Sequence, residues 1–342
     1  MTAKPGTQGS QIGGEATANP SAARPRLGVF LDLESVDRGD LDRRRLRAAC
    51  EHWDLHPATR PGEVAARIRE AEVVVTNKVV LDANLMCAAP ALRLVCIAAT
   101  GTNNVDLNAA ARLGIPVRNV RGYATASVVQ HVFAVILSHY TRLADYRASV
   151  AAGAWSRAPH FCLLDHPIEE IAGRTLGIIG LGELGSAVAR VAQAFGMGVL
   201  IARRNDADTR PGRVALRDLL PRVDVLSLHC PLTSETRGLI GAAELELMRR
   251  DALLINTARG GIVDETDLLE ALRHRRIGAA ALDVLTREPP PAHHPLLAAG
   301  IPNLSITPHI AWASRAARQR LLDAVADNIA TACGPGAETP TG

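Results

Sequence analysis

The sequence predicts two doubly wound α/β domains, each a parallel sheet covered by helices, and two observations lead there. At 342 residues the chain is longer than one ordinary core sustains, and domains of roughly 100 to 200 residues imply two. Short apolar runs alternate with amphipathic segments in two separate series, from Leu27 to Val120 and from Thr175 to His309. Strand-helix alternation of this kind builds parallel sheets, because each crossover must carry a helix back over the sheet.

In the first series the strands are read in "RLGVFLDL", "EVVVTNKVV", "LRLVCIAAT" and "IPVRNV", with helices in "LDRRRLRAAC", "GEVAARIREA", "LDANLMCAAP" and "DLNAAARLG" between them. A longer periodic segment follows, Ala126 to about Gly153, apolar on nearly all sides at first. It is expected to be one buried helix joining the domains. The stretch "WSRAPHFCLLDHPIEEIAGR" breaks the rhythm. The second series then supplies strands in "TLGIIG", "GVLIAR", "DVLSLH", "ALLINTA", "AALDVL" and "LSITPH", and a final amphipathic helix runs from Ser314 to about Thr331.

Composition excludes several classes. With 47% hydrophobic and 21% charged residues and no apolar stretch near membrane length, a membrane partner is not expected. Net charge is only +3 and the arginines are scattered, so nucleic acid is not expected either. Cys50, Cys87, Cys96, Cys162, Cys230 and Cys333 lie far apart without a C-x-x-C pair, which suits buried thiols in a reducing compartment. Residues 1–26 and 332–342 read as disordered tails, the first lacking the apolar core of a secretory signal. His293 and His294 are adjacent, and His229 stands beside Cys230, but neither has further ligands at metal-binding spacing, so no metal site is expected.

The chemistry begins at "GLGELG", where Gly180, Gly182 and Gly185 form G-x-G-x-x-G between a strand and a helix. The first glycine permits the tight turn, the second lets the backbone approach a pyrophosphate, and the third lets helix pack on strand. Amides around Glu183 and Leu184, at the helix start, would face the phosphates. The next strand ends in Arg203 and Arg204, at the place where an acidic residue would hold the ribose of NAD and an arginine would pair with the 2′-phosphate of NADP. NADP(H) is therefore the favoured cofactor. NAD(H) stays possible, because arginine is common in this chain and Asp206 or Asp208 could fold back to the ribose.

Three later segments, "LLINTARGGIVDETDL", "ALDVLTREPP" and "ITPHIAWAS", together with "GIIGLGELG" and "HCPLTSETRGLI", resemble the D-isomer-specific 2-hydroxyacid dehydrogenase family from about Leu27 to Ala330. "GVFLDLESV", "VVTNKVVLDANL" and "FCLLDHPIEEIAGRTLGIIG" resemble its glycerate dehydrogenase, or hydroxypyruvate and glyoxylate reductase, branch. The resemblance implies a Rossmann NAD(P)-binding domain, residues 126–310 with the linker helix and a dimer arm, inserted into a flavodoxin-like substrate domain of residues 27–125 and 311–331. A cytoplasmic homodimer is implied as well.

Carbonyl reduction needs a proton donor, a cation to polarise the carbonyl, and a positioned hydride. The resemblance assigns the proton to His309, its orientation to Glu288 and the substrate grip to Arg259. It places Pro231, Thr236, Thr257, Ala258 and Asp283 against the cofactor. The loop "ATGTNNVD" offers the amides of Thr100, Gly101 and Thr102 to a carboxylate. Lys78 and Trp312 are further substrate candidates, with surface solvation and core packing as their alternatives. The expected activity is NAD(P)H-dependent reduction of hydroxypyruvate or glyoxylate to the D-2-hydroxy acid, and its reverse. The alternatives are an NAD-dependent dehydrogenase for another 2-oxo acid and a non-catalytic nucleotide-sensing corepressor-like module.

Overall fold

The computed structural model describes residues 24–205 and 207–333. Most of the two expected tails, and Asp206, lie outside these residues. Inside them the tails are shorter than expected. The carbonyls of Pro25 and Arg26 accept the amides of Glu51 and His52, and the last helix, Arg315–Cys333, carries a buried Cys333.

The chain forms two compact units, one of residues up to Val120 and from Leu322 onward, the other Arg121–Leu321. The sequence places the boundaries at 125/126 and 310/311. The return to the first unit falls instead inside the last helix, because Ala311 and Ser314 are hydrogen-bonded to Asp283 and Ser127 of the second unit.

In the first unit β1 (Leu27–Phe30), β2 (His52–Leu55), β3 (Val73–Thr76), β4 (Leu94–Ile97) and β5 (Val117–Asn119) form a five-stranded sheet in the order β2-β1-β3-β4-β5. Every pairing is parallel. Central strands bury both faces and so read as unbroken apolar runs, as β3 (VVVT) and β4 (LVCI) do. The edge strand β2 (HWDL) alternates exposed and half-buried residues, and no apolar run announces it.

The second unit holds β6 (Thr175–Ile179), β7 (Gly198–Ala202), β8 (Arg213–Val214), β9 (Val225–Leu228), β10 (Leu253–Asn256), β11 (Ala279–Leu282) and β12 (Leu304–Ile306). Their order, β12-β11-β10-β9-β6-β7-β8, is that of a Rossmann sheet with one added strand. Strand order reverses at β6, so a crevice opens beyond the carboxyl ends of β6 and β9, the usual ligand position in such sheets.

The single helix expected from Ala126 to Gly153 is two, Thr125–Thr141 and Leu143–Ala151. They break at Arg142, which takes a left-handed conformation (φ 53°) and donates its amide back to His139. The first helix buries Val128, Val132, Phe133 and Ile136 against β6 and the helix Glu183–Ala194, whereas the second buries no residue. Loss of the apolar stripe after Tyr140 removes the reason for one continuous rod.

Candidate active site

The glycine turn closes β6. Gly180 has φ +94°, and a Cβ there would stand 2.6 Å from the Cys230 amide nitrogen. At Gly185 a Cβ would run into the Gly180 carbonyl oxygen, which locks helix onto strand. Above Gly182 nothing lies within 4 Å. The middle glycine thus leaves an open cradle at the start of the helix Glu183–Ala194, whose first-turn amides have no acceptor within the helix. Glu183 turns its carboxylate to the Thr125 hydroxyl, 2.5 Å away.

At the end of β7 the Arg203 amide donates to Val214, while its Nε is buried without a partner. Arg204 is 72% exposed and only 3.7 Å from Glu235. Asp208 is turned to its neighbouring arginines. Arg210 grips both its oxygens at 2.6 and 2.7 Å, and the Arg204 amide donates to it. These donors, Arg210 foremost, hold its carboxyl well below the usual carboxylate range.

Thr257 follows β10 with its hydroxyl buried and unpartnered, and Ala258 beside it is buried. The Thr236 hydroxyl donates to the Pro231 carbonyl and accepts from the Thr233 amide, closing the loop after β9. An open glycine cradle, an orphaned guanidinium nitrogen and an orphaned hydroxyl on one rim fit a dinucleotide, and hydroxyl and guanidinium donors suit phosphate and ribose oxygens.

Two of the three expected catalytic residues form one hydrogen-bonded pair. His309 lies just past β12, and its Nδ1 is 2.6 Å from Glu288 Oε2. A carboxylate accepts, so Nδ1 carries hydrogen and Nε2 faces outward with no protein partner among the described residues. His309 has φ 54°, a left-handed conformation uncommon for a side-chain-bearing residue. Asp283 holds it there: its carboxylate accepts from the amides of Ile310 and Ala311 and the Thr307 hydroxyl, and its carbonyl accepts the His309 amide. Asp283, expected at the cofactor, therefore has both oxygens committed to the turn bearing His309. The Trp312 indole braces that turn by donating to the His309 carbonyl at 2.9 Å.

Arg259 donates through one Nη to the Ala258 carbonyl at 2.7 Å. Its Nε and other Nη have no acceptor among the described residues, which leaves an edge of the fork free for a carboxylate or carbonyl. Tyr123, a residue the sequence reading missed, packs on the His309 turn. Its ring meets Trp312 edge-on at 6.1 Å. Burial pushes its phenol up to about 12 against the opposing effect of the nearby Arg259. No motif marks Tyr123, since its place depends on contacts far along the chain.

In the first unit the amides of Thr100, Gly101 and Thr102 have no acceptor among the described residues. The Thr100 hydroxyl and carbonyl are tied to Val120 and Asn119, so the loop presents amides from a braced frame. Lys78 is exposed, and its amide and that of Asn77 donate to the buried carboxylate of Asp32, another residue the sequence reading missed. Burial raises the Asp32 carboxyl above its ordinary value.

His229 backs the glycine turn, where burial lowers its imidazole to about 4. Its Nε2 is 2.9 Å from the Ser227 hydroxyl, and Nδ1 has no partner. Folding holds it neutral while the unfolded chain protonates near pH 6.5, so stability falls as pH drops from about 6.5 towards 4. A loss of about 3 kcal/mol is expected over that window. Urea midpoints measured across it should fall in the wild type and lose that part of the slope in His229→Gln.

Among the described residues, no group of three or more His, Cys, Asp or Glu could hold a metal ion, and no helix is long and apolar enough to cross a membrane.

Comparison with known proteins places the chain in a family. Residues 133–311 match the family described as D-isomer specific 2-hydroxyacid dehydrogenase, NAD binding domain. The chain is 43% identical over 301 residues to a glycerate dehydrogenase of Methylorubrum extorquens, covering 88% of this chain and 94% of that protein. It is 38% identical over 307 residues to a hydroxypyruvate reductase of Blautia hydrogenotrophica, covering 88% and 95%. A solved NADPH-dependent glyoxylate/hydroxypyruvate reductase from Sinorhizobium meliloti, in complex with NADP and malonate, superposes with a TM-score of 0.76 at 30% identity, covering 93% and 97%. The chain belongs to the D-isomer specific 2-hydroxyacid dehydrogenase family, a family of oxidoreductases.

Proposed function

We propose that the protein reduces hydroxypyruvate or glyoxylate to the D-2-hydroxy acid, and runs the reverse oxidation, with NADP(H) preferred over NAD(H). The observation that carries this reading is the Glu288–His309 pair at 2.6 Å, which leaves Nε2 open, and the same unit holds Arg259 with part of its guanidinium unpartnered among the described residues. When bound, the reduced nicotinamide supplies the hydride. Arg259 holds the 2-oxo acid through its carboxylate and carbonyl oxygens and draws electron density from the carbonyl carbon. His309 gives its Nε2 proton to the oxygen that becomes the alkoxide, and Glu288 stabilises the ring while it carries charge. Trp312 and Tyr123 line the Arg259 end. Lys78 and the Thr100, Gly101 and Thr102 amides form an anion-binding loop suited to a carboxylate.

Gly180, Gly182, Glu183, Leu184 and Gly185 would hold the pyrophosphate, and Pro231, Thr236, Thr257 and Ala258 would line the rest of the cofactor. The orphaned Arg203 Nε and the loosely paired Arg204 support a 2′-phosphate. Steady-state kinetics on hydroxypyruvate, glyoxylate and pyruvate with NADPH and NADH test the whole reading. Turnover of none of the three would sink the function, and a clear NADH preference would sink the cofactor assignment.

The protein is further read as a cytoplasmic homodimer. Phe161 and Leu164 are 91% and 82% exposed, with Trp155 and Ile168 also open, in the irregular segment before β6. Such a stretch of apolar surface marks an interface. Sedimentation velocity is expected to give the mass of two chains, and Phe161→Asp with Leu164→Asp that of one.

A further inference from the structure

We propose that Glu265 and His294 form a latch that positions the catalytic groups, acting through the Leu285–Thr286 peptide; this deepens the reading of the site above and rests on it. Glu265, in the first turn of the helix Glu265–Arg273, sends one carboxylate oxygen to the Thr286 amide at 2.6 Å. Its other oxygen meets His294 Nε2 at 3.1 Å. His294 is 8% exposed, and its Nδ1 is buried without a partner. Metal ligation does not explain this histidine, and neither does exposure to solvent.

Two parts of the site meet at Leu285, whose carbonyl belongs to the peptide that Glu265 holds. The Leu285 amide donates to Glu288 Oε1 at 2.9 Å, setting the carboxylate whose other oxygen meets His309. On its other side the peptide packs on Gly260, where a Cβ would collide with the Leu285 carbonyl. Gly260 follows Arg259 directly. A shift of this peptide therefore moves the acceptor of His309 and the backbone beneath Arg259 together. Glu265 touches no reacting atom in this scheme. It is a positioning residue, and His294 fixes which way its carboxylate points. Misplacement by about 1 Å is enough to cost on the order of a hundredfold in rate.

The test compares wild type, Glu265→Ala, Glu265→Gln, Glu288→Gln and the double variant Glu265→Ala with Glu288→Gln, using a 2-oxo acid that the wild type reduces. Glu265→Ala is expected to lower kcat roughly tenfold and leave the KM for cofactor within about twofold, while Glu265→Gln, which still accepts from Thr286, recovers most of the loss. In the Glu288→Gln background, Glu265→Ala should cost clearly less than the roughly tenfold it costs in wild type, the remainder being the part carried through the backbone beneath Arg259. Amide hydrogen exchange of the cofactor-free protein supplies a readout without turnover, with Thr286 exchanging faster in Glu265→Ala than in wild type or Glu265→Gln. Full additivity with Glu288→Gln, or equal Thr286 exchange in wild type and Glu265→Ala, would overturn the latch. Should Glu265→Ala not fold, His294→Gln takes its place in both measurements, with the same outcomes deciding. A wild type inert towards every 2-oxo acid would refute the proposed function instead, and Thr286 exchange would still decide the latch.

Discussion

His309→Asn is expected to lower kcat for 2-oxo acid reduction by roughly a thousandfold while cofactor affinity, read by fluorescence titration, stays within about twofold. Asparagine is chosen for a backbone reason. His309 sits at φ 54°, and asparagine tolerates the left-handed region better than alanine does. The Asp283 contacts to Ile310, Ala311 and Thr307 then survive, so the loss reports the missing proton donor and not a collapsed turn. A general acid within reach of the substrate contributes about 10²–10⁴ in rate, and the midpoint is expected because Glu288 already orients the ring. Retention of more than about a tenth of the wild-type kcat would remove His309 from the catalytic role.

Arg203→Glu is expected to shift the NADPH-over-NADH ratio of kcat/KM by about a hundredfold towards NADH. Two effects add: the charge-assisted hydrogen bond to the 2′-phosphate is lost, at about 1.5–3 kcal/mol, and a carboxylate is set against the phosphate. Each 1.4 kcal/mol or so is a factor of ten. The buried, unpartnered Nε of Arg203 makes this the stronger site, since a desolvated donor without an acceptor gains most from a ligand that supplies one. Arg204→Glu should shift the ratio less. Arg204 is 72% exposed, and water already serves its guanidinium. The same steady-state assay checks both. An unchanged ratio in Arg203→Glu would place the 2′-phosphate elsewhere or deny it a site.

Much of the fold can be read from sequence because buried parallel strands are unbroken apolar runs, as in β3, β4, β9 and β10. The strands that escape are β2, whose half-exposed HWDL mimics a loop, and β8, only two residues long at Arg213–Val214. The break at Arg142 escapes as well, since neither glycine nor proline marks it. At the site, the glycine turn is legible from steric needs alone. His309, Glu288 and Arg259 become legible only through family resemblance, because no local pattern brings together residues up to fifty positions apart. Asp208 shows the limit most clearly. Sequence leaves it free to meet a ribose, and only the structure shows Arg210 occupying both its oxygens. Tyr123 and Asp32 carry no signature, and the roles of Glu265 and His294 stay hidden although both stand in segments the sequence singles out, since each acts through a partner distant in the chain.

The place where the chain changes units also bears on inheritance. The second unit is one uninterrupted segment, Arg121–Leu321, whereas the first is assembled from two pieces. A single exchange of contiguous sequence can therefore replace the whole nucleotide-binding sheet and its Arg203 rim while leaving the Lys78 and Thr100 loops untouched. Replacing the first unit by recombination requires two coordinated exchanges, one of them inside the final helix. Cofactor preference is on that account the easier of the two traits for this architecture to change.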